Sequence, residues 1–354
     1  MAERLRASLV GCGLGGRLSL GALMTSERYS VVAVTDLRQE VCQQLQKQYP
    51  HIRTFNDHRT MFAECPADVV CVSTYAPTHE SITIDAIKAN PLKGILVEKP
   101  LGDTAASGSR ILQAIRDAGL PVVVPHGMLA SNPALEVVAK VKQGAIGALN
   151  LVEFQVHKQD IINAGIHLLH FFVTLTNQEP VDYVLATCES STQTYRDGMQ
   201  VETTAVTYVQ TKTGIRVVLN SGDDTLINRP GAGHLIRIVG SGGYIEFRKV
   251  DASYTILNAE HPTGRLITPG QLDAVGHDKY LCDLAGMIAS GTADYEIPDS
   301  SLLALELVEA AYLSNRYHCK VTFPVAGFRV PEKTNWDPGI PYDGTGGGRD
   351  GKVS

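Results

Sequence analysis

In the first third of the chain, short apolar runs alternate with segments of helical periodicity. The runs predict strands at 7–10, 31–36, 68–74, 95–97 and 121–126, with helices near 39–48, 79–90 and 105–118. Short, wholly apolar strands separated by helices are typical of a parallel sheet that is covered on both faces. We therefore expect an α/β fold that begins with a doubly wound Rossmann domain over residues 1–125.

The pattern changes beyond residue 125, where apolar and polar residues alternate along longer segments. After a helix at 132–144, alternation predicts strands at 149–157, 201–211, 215–221, 234–240 and 244–250, followed by helices at 276–289 and 299–318. Such alternation is typical of an antiparallel sheet with one solvated face. The expectation is an α+β domain with a large open antiparallel sheet over 126–325, and a Gly- and Pro-rich tail over 326–354.

Composition and charge exclude several classes of function. The 354 residues carry a formal net charge of −6 and no basic run, which argues against a nucleic-acid partner. No apolar run is long enough for a membrane span, and the first residues lead into a strand without the pattern of a signal peptide. The seven cysteines are scattered without metal-ligand spacing, so we expect reduced thiols, a cytoplasmic location and no metal.

A glycine-rich loop directly follows the first predicted strand. Gly11, Gly13 and Gly16 satisfy GxGxxG, with Leu14 inside the loop, and Asp36 ends the next strand 20 residues beyond Gly16. In a dinucleotide-binding motif the glycines allow a tight turn, backbone approach to a pyrophosphate and close packing of the helix. A tight turn without a ligand is the alternative, and the strand context favours the dinucleotide.

Asp36 also bears on which dinucleotide binds. A carboxylate at this position accepts hydrogen bonds from both ribose hydroxyls and repels a 2′-phosphate, which favours NAD over NADP. Arg38 lies close enough to hold a 2′-phosphate, although a solvated position at the start of the next helix is the simpler interpretation. We expect NAD as the cofactor, with NADP less favoured.

The segment "GILVEKPLGD" (94–103) delivers a lysine from the end of a buried strand. In a doubly wound sheet, ligands bind outside the carboxyl ends of the strands, where Lys99 would lie. Pro100 lacks the N–H needed to continue a strand ladder. A surface lysine paired with Glu98 is the alternative for the tripeptide taken alone.

Together, "GCGLGG", "STYAPTHE" (73–80), "ILVEKPLGD" and "NAGIHLLHFF" (163–172) resemble the glucose–fructose oxidoreductase / inositol dehydrogenase family. The resemblance extends from the first strand to about residue 325. It implies a Rossmann domain followed by an open antiparallel sheet that is often used for oligomerisation, hence a homodimer or homotetramer. It also implies an NAD(P)-dependent dehydrogenase of sugars, inositols or related polyols.

The resemblance assigns roles to individual residues. Lys99 would hydrogen-bond the reacting oxygen and assist proton transfer, and His167 would be the acid/base. Asn163 stands where the family typically has Asp; it lies four residues before His167, on the same helical face, and would orient that histidine. Thr74, His79 and Glu98 would complete the cofactor site, with His79 capping its helix or lining the nicotinamide pocket.

Three alternatives stay open at this point. His167, among Ile, Leu and Phe, could be a hydrogen-bonded core histidine. A redox-neutral enzyme, in which transient oxidation enables elimination, epimerisation or glycoside cleavage, would recycle NAD. A non-catalytic sugar or dinucleotide sensor would explain the missing acid at 163. The expected function is hydride transfer between NAD and a secondary alcohol of a sugar, glycoside or cyclitol.

Overall fold

The computed structural model describes residues 3–89, 91–189, 194–227 and 234–330. Its first sheet has six parallel strands in the order β3-β2-β1-β4-β5-β6. The strands are β1 (Leu5–Val10), β2 (Tyr29–Thr35), β3 (Arg53–Phe55), β4 (Val69–Val72), β5 (Gly94–Val97) and β6 (Val122–Val123). The helices that connect them are α1 (Leu14–Thr25), α2 (Gln39–Gln48), α3 (His58–Glu64), α4 (Ala76–Ala89) and α5 (Ala105–Asp117).

This sheet has the expected doubly wound topology. All residues of β4 and β5 are buried, because helices cover both faces, and this explains why their sequences are wholly apolar. The short edge strand β3 and helix α3 have no counterpart in the sequence prediction. Asp57 begins α3 by accepting a hydrogen bond from the Thr60 backbone N–H at 2.8 Å.

The second sheet has nine strands in the order β16-β15-β14-β13-β7-β12-β11-β8-β17. Its strands are β7 (Leu149–His157), β8 (Val181–Cys188), β11 (Thr204–Thr211), β12 (Arg216–Gly222), β13 (His234–Gly240), β14 (Gly243–Arg248), β15 (Tyr254–Leu257), β16 (Arg265–Ile267) and β17 (Val321–Thr322). A separate hairpin pairs β9 (Thr194–Arg196) with β10 (Met199–Val201). The sequence prediction did not include β8, β9, β10, β15 or β16.

The central strand β7 makes the large sheet mixed. It pairs antiparallel with β13 and parallel with β12, whereas the other pairs in this sheet are antiparallel. Its residues alternate between an inner face, where Val152, Phe154 and Val156 are buried, and a partly exposed outer face. The predicted single wet face is therefore present, and the expectation of a purely antiparallel sheet is corrected at one pair.

Among the described residues, helices cover the inner face of this sheet and leave the outer face open. They are α6 (Asn132–Lys142), α7 (Ile166–Leu175) and α9 (Glu296–Tyr317), with a π-helical turn at Ile161–Gly165 directly before α7. Short 3-10 turns lie at Gly127–Ala130 and Val325–Gly327. The fold class predicted from sequence is confirmed.

Helix α8 (Gly276–Ser290) lies far along the chain but packs against the first sheet. Tyr280, Leu281 and Leu284 are buried in the same core cluster as Leu9, and the Tyr29 hydroxyl donates to the Leu281 carbonyl at 2.7 Å. A division of the chain at 125/126 therefore separates most of the two sheets but leaves α8 on the Rossmann side. Of the tail predicted over 326–354, everything from residue 331 lies outside the described residues.

Two further features bear on function. No helix of the described residues is long and apolar enough to cross a membrane. All seven cysteines are free thiols, and four of them are buried.

Candidate active site

The glycine loop joins β1 to α1 and needs glycine at two positions for different reasons. Gly11 has φ +90°, and a Cβ there would lie 2.4 Å from the Ser73 carbonyl oxygen. At Gly16, a Cβ would lie 1.9 Å from the Gly11 carbonyl oxygen. Positive φ and close backbone approach both exclude other residues, so the loop is tight because of its sequence.

Gly13 is the N-cap of α1, and a Cβ there would meet nothing within 4 Å. Open space in front of a helix N-terminus is what a pyrophosphate requires, because backbone N–H groups there can face the anion. Leu14, Leu37 and Tyr75 are 83%, 91% and 60% exposed around this edge of the sheet. Exposed apolar side chains beside an open glycine loop suit the flat rings of a dinucleotide, so the residues present fit NAD.

Asp36 follows β2 and is held by four hydrogen bonds. Its carboxylate accepts from the backbone N–H groups of Cys12 and Arg38, both at 2.9 Å. The Arg38 guanidinium forms a bidentate pair with it at 2.9 and 3.0 Å. Arg38 is therefore not simply a solvated residue at the start of α2, since its charge lies on the carboxylate expected to bind the ribose.

The charge state of Asp36 follows from these contacts. Burial alone would raise the pKa of this carboxyl, but the hydrogen bonds from Arg38 and from the backbone outweigh burial and hold it below its usual value. Asp36 is consequently a carboxylate at neutral pH and can accept hydrogen bonds from ribose hydroxyls.

Thr74 and Glu98 lie in the loops at the ends of β4 and β5, and His79 lies in the first turns of α4. The His79 ring is 1% exposed, and its two nitrogens lie 3.0 Å from the carbonyl oxygens of Pro100 and Thr74. It therefore ties the two loops together from inside, instead of lining an open pocket. The Glu98 carboxylate is buried near Gly15 and lies 2.6 Å from the His277 ring on α8.

Lys99 leaves the end of β5 and reaches the π-helical turn. Its Nζ donates to the main-chain carbonyl of Asn163 at 3.0 Å. The Asn163 backbone N–H in turn donates to the Asp160 carboxylate, which also pairs with Arg196 of the hairpin at 2.7 Å. The sequence prediction placed Lys99 and Asn163 in one site, and the structure brings them together through the main chain of Asn163.

His167 lies one turn beyond Asn163, half-buried at the start of α7. Its Nδ1 accepts a hydrogen bond of 3.2 Å from the Gly127 backbone N–H. Within the described residues, the Asn163 side chain gives His167 no hydrogen bond, and its Nδ2 is buried without a partner. The expected orienting contact from Asn163 is therefore replaced by one from Gly127, which sequence reasoning did not identify.

This contact fixes the tautomer of the neutral ring. An N–H group can only donate, so Nδ1 carries the lone pair and the ring proton is on Nε2. Burial and the neighbouring ammonium groups of Lys99 and Lys249 hold the pKa of His167 well below its usual value. The ring is neutral at physiological pH and presents an N–H on Nε2.

Two further histidines lie behind His167. The rings of His126 and His170 stack at 3.8 Å, and their Nε2 atoms lie 2.8 Å from the hydroxyl oxygens of Ser301 and Ser300. Both side chains are fully buried, and burial lowers the pKa of His170 to about 3. His126 is therefore part of the structural support behind His167.

Lys249 was missed by sequence reasoning. It is the first residue after β14, and its side chain is exposed. The segment "YIEFRKV" carried no signal for it, because a lysine just beyond the end of a strand is usually a solvated surface residue. The described residues contain no cluster of His, Cys, Asp and Glu suited to a metal ion.

Comparison with known proteins was informative for the N-terminal domain. A model of the oxidoreductase family with an NAD-binding Rossmann fold matches residues 5–126. An inositol 2-dehydrogenase from Acidothermus cellulolyticus is 33% identical over 145 residues, which are 40% of this chain and 42% of that protein. A D-apiose dehydrogenase from Paraburkholderia graminis is 28% identical over 146 residues, 41% and 38% of the two chains. These matches span less than half of each relative.

Solved structures are similar over nearly the whole chain. Aldose-aldose oxidoreductase from Caulobacter crescentus superimposes with a TM-score of 0.77 and 19% identity, covering 91% of this chain and 100% of that one. A levoglucosan dehydrogenase in complex with NADH and levoglucosan gives 0.76 and 15%, with coverage of 91% and 100%. At this identity the likeness establishes the two-sheet fold.

Residues 5–126 therefore match the oxidoreductase family with an NAD-binding Rossmann fold in sequence, and the structure folds them into a doubly wound parallel sheet. The resemblance noted from the glycine loop and the "EKP" segment is confirmed, and so is the expectation of an NAD-binding domain.

Proposed function

We propose that this chain, built on an NAD-binding oxidoreductase domain, is a dehydrogenase that oxidises a secondary alcohol of a sugar, glycoside or cyclitol. The convergence of Lys99 and His167 at the open edge of the Rossmann sheet is the observation that supports this most directly. Bound NAD would accept the hydride from the substrate carbon. The glycine loop would hold its pyrophosphate and Asp36 its ribose, with NAD preferred to NADP.

Lys99 and His167 would have different roles at the reacting oxygen: one transfers its proton and the other positions it. His167 carries its proton on Nε2 and so donates a hydrogen bond that holds the oxygen in place. Its lone pair is occupied by Gly127, and for this reason we assign it a positioning bond instead of the base role expected from the sequence. Lys99, once its ammonium has released a proton to solvent, takes up the hydroxyl proton as the hydride departs.

Asn163 contributes through its backbone. Its carbonyl oxygen holds the Lys99 ammonium at 3.0 Å and thereby fixes the amine beside α7. An aspartate at 163 would add a negative charge next to both Lys99 and His167. The asparagine keeps the turn uncharged, which is consistent with a neutral His167.

The test is an NAD-reduction screen across polyols, sugars and glycosides, with Lys99→Met as the inactive reference. Turnover by the native protein that is lost in Lys99→Met supports the proposal. NAD and sugar binding without turnover would instead indicate a sensor. Product formed without net NADH would indicate redox-neutral chemistry.

We also propose that the protein forms homo-oligomers in the cytoplasm through the outer face of the large sheet. No helix of the described residues covers this face, and Leu185 and Val206 are 42% and 45% exposed on adjacent strands. The free thiols are consistent with a reducing compartment. Light scattering of the native protein and of Leu185→Lys would test the interface, since a charge there should lower the oligomeric mass.

A further inference from the structure

Lys249 lies in the turn that directly follows β14 of the large sheet. Its backbone N–H donates to the His234 carbonyl at 3.1 Å, and His234 pairs with Val156 of the central strand. The Lys249 side chain is exposed, so its ammonium is open to a bound ligand. Lys249 therefore lies at the end of the sheet where the chain leaves β7 and enters the π-helical turn.

The charges at this end of the sheet are unbalanced. The Lys99 and Lys249 ammonium groups both act on His167, and Lys99 together with burial lowers the pKa of Lys249. Within the described residues, neither ammonium pairs with a carboxylate. Two carboxylates lie close in the chain to these elements, Glu98 beside Lys99 and Asp160 at the start of the turn, and they are already engaged by His277 and Arg196.

Cofactor binding would increase this imbalance. The nicotinamide ring of NAD in its oxidised form carries a further positive charge, which would lie at the same edge of the sheet. Like charges brought together in a partly buried site repel strongly unless an anion lies between them. The protein supplies no such anion here, so a substrate that carries one would be favoured.

We propose that the substrate carries a carboxylate and that Lys249 binds it, which makes the substrate class sugar acids or other acidic polyols. This inference rests on the proposed function and refines it. Lys99 is engaged with the reacting oxygen, which leaves one ammonium for the anionic group. The buried, unpartnered Nδ2 of Asn163 is a further donor beside the site. One ammonium and one amide match a monoanionic carboxylate better than a phosphate dianion.

Calorimetry on the NADH-loaded protein tests the preference without turnover. The probes are D-galacturonate against D-galactose, D-glucuronate against D-glucose, and glucose 6-phosphate as the phosphate arm. We expect at least one sugar acid to bind tenfold or more tightly than its neutral counterpart and more tightly than the phosphate. Added salt should weaken binding of the sugar acid far more than binding of the neutral sugar.

Substitutions test whether Lys249 is the residue that favours sugar acids over neutral sugars. Lys249→Met should reduce the acid-to-neutral affinity ratio about tenfold, the scale of one lost charge-assisted hydrogen bond. Lys249→Arg should retain most of the ratio. Lys142→Met, which removes an exposed lysine from the end of α6, is the matched control and should leave the ratio unchanged.

Two results would overturn the inference: no acid binding more tightly than its neutral sugar, or an unchanged ratio in Lys249→Met. Preferred binding of the phosphate would overturn the carboxylate assignment. A separate NAD-reduction assay keeps the two proposals distinguishable. Turnover of neutral sugars without a preference for acids would contradict only the proposed substrate class. Binding of a sugar acid without turnover would contradict only the proposed dehydrogenase activity.

Discussion

The cofactor half and the substrate half of the proposed active site are built in different ways. The cofactor half comes from one continuous segment, in which Gly11, Gly13, Gly16 and Asp36 lie within 26 residues of each other. Its geometry depends on backbone conformation and on the absence of side chains. The substrate half combines Lys99, Gly127, Asn163, His167 and Lys249, which come from five separate elements or from the loops that follow them.

The difference shows what each half tolerates. In the glycine loop, backbone packing sets the shape before any ligand binds. Replacing a closely packed glycine there with alanine should therefore lower the stability of the fold. In the substrate half, side chains meet across the interface of the two sheets, so substitutions there act on chemistry while the fold is retained. The predictions below measure this contrast.

The largest effect is expected at Lys99. Because Lys99 would take the hydroxyl proton, Lys99→Met should lower kcat by roughly 10²-fold or more, the scale of general acid–base contributions. NAD affinity and melting temperature should change little. Lys88→Met, on the exposed surface of α4, is the control and should keep full activity. A Lys99→Met enzyme with near-native kcat would remove Lys99 from the chemistry.

Gly16 tests the cofactor half through stability. A Cβ at 16 would lie 1.9 Å from the Gly11 carbonyl oxygen, so Gly16→Ala should destabilise the protein by about 3 kcal/mol. Gly21 is the matched control, since it lies in the same helix with nothing within 4 Å of its Cβ. Gly21→Ala should instead stabilise by about 0.5–1 kcal/mol through helix propensity. Denaturant unfolding measures both, and equal effects would contradict the close-packing argument.

The same difference in construction explains why more of the cofactor half than of the substrate half could be predicted from the sequence. Gly11, Gly16 and Asp36 are recognisable because a local backbone requirement restricts each position to one or two residue types. The Gly127 contact with His167 is invisible in sequence, because any residue except proline offers the same N–H. The predicted partner Asn163 lies in a π-helical turn instead of a regular helix, so spacing rules for an α-helix did not apply.

The buried histidines of the substrate half should make stability depend on pH. The pKa of His170 falls from about 6.5 in the unfolded chain to about 3 in the folded one, so only the unfolded state binds its proton between these values. Stability is therefore lost as pH falls below 6.5, by about 2 kcal/mol at pH 5 from this group. His170→Phe should remove that part of the pH dependence.

The measurement is the free energy of unfolding at pH 7.5 and pH 5 for the native protein and His170→Phe. His51→Phe provides the control, because the His51 side chain is exposed and stays in water in both states. A native-like loss of stability on acidification in His170→Phe would show that other groups dominate.

The smallest effect is expected at Arg38, whose guanidinium forms a bidentate ion pair with the Asp36 carboxylate. Its guanidinium offsets the carboxylate charge that would repel a 2′-phosphate. Arg38→Met should therefore sharpen the preference for NAD over NADP by about 1 kcal/mol, roughly fivefold in relative affinity. Fluorescence titration of both cofactors decides the point. If Arg38→Met instead shifted the preference toward NADP, the main role of Arg38 would be to orient the Asp36 carboxylate.

The position of β7 in the middle of the large sheet has a consequence for the order of synthesis. One of its partners, β12, ends at Gly222, and the other, β13, ends at Gly240. A nascent chain that has emerged only to residue 200 therefore carries β7 without either neighbour, and its inward side chains Val152, Phe154 and Val156 lack the flanking strands. Pairing across such sequence separations is slow, because the loops must close before any contact is gained. All six strands of the first sheet thus leave the ribosome well before the large sheet can assemble, whereas α8, which packs against the first sheet, emerges later than both partners of β7.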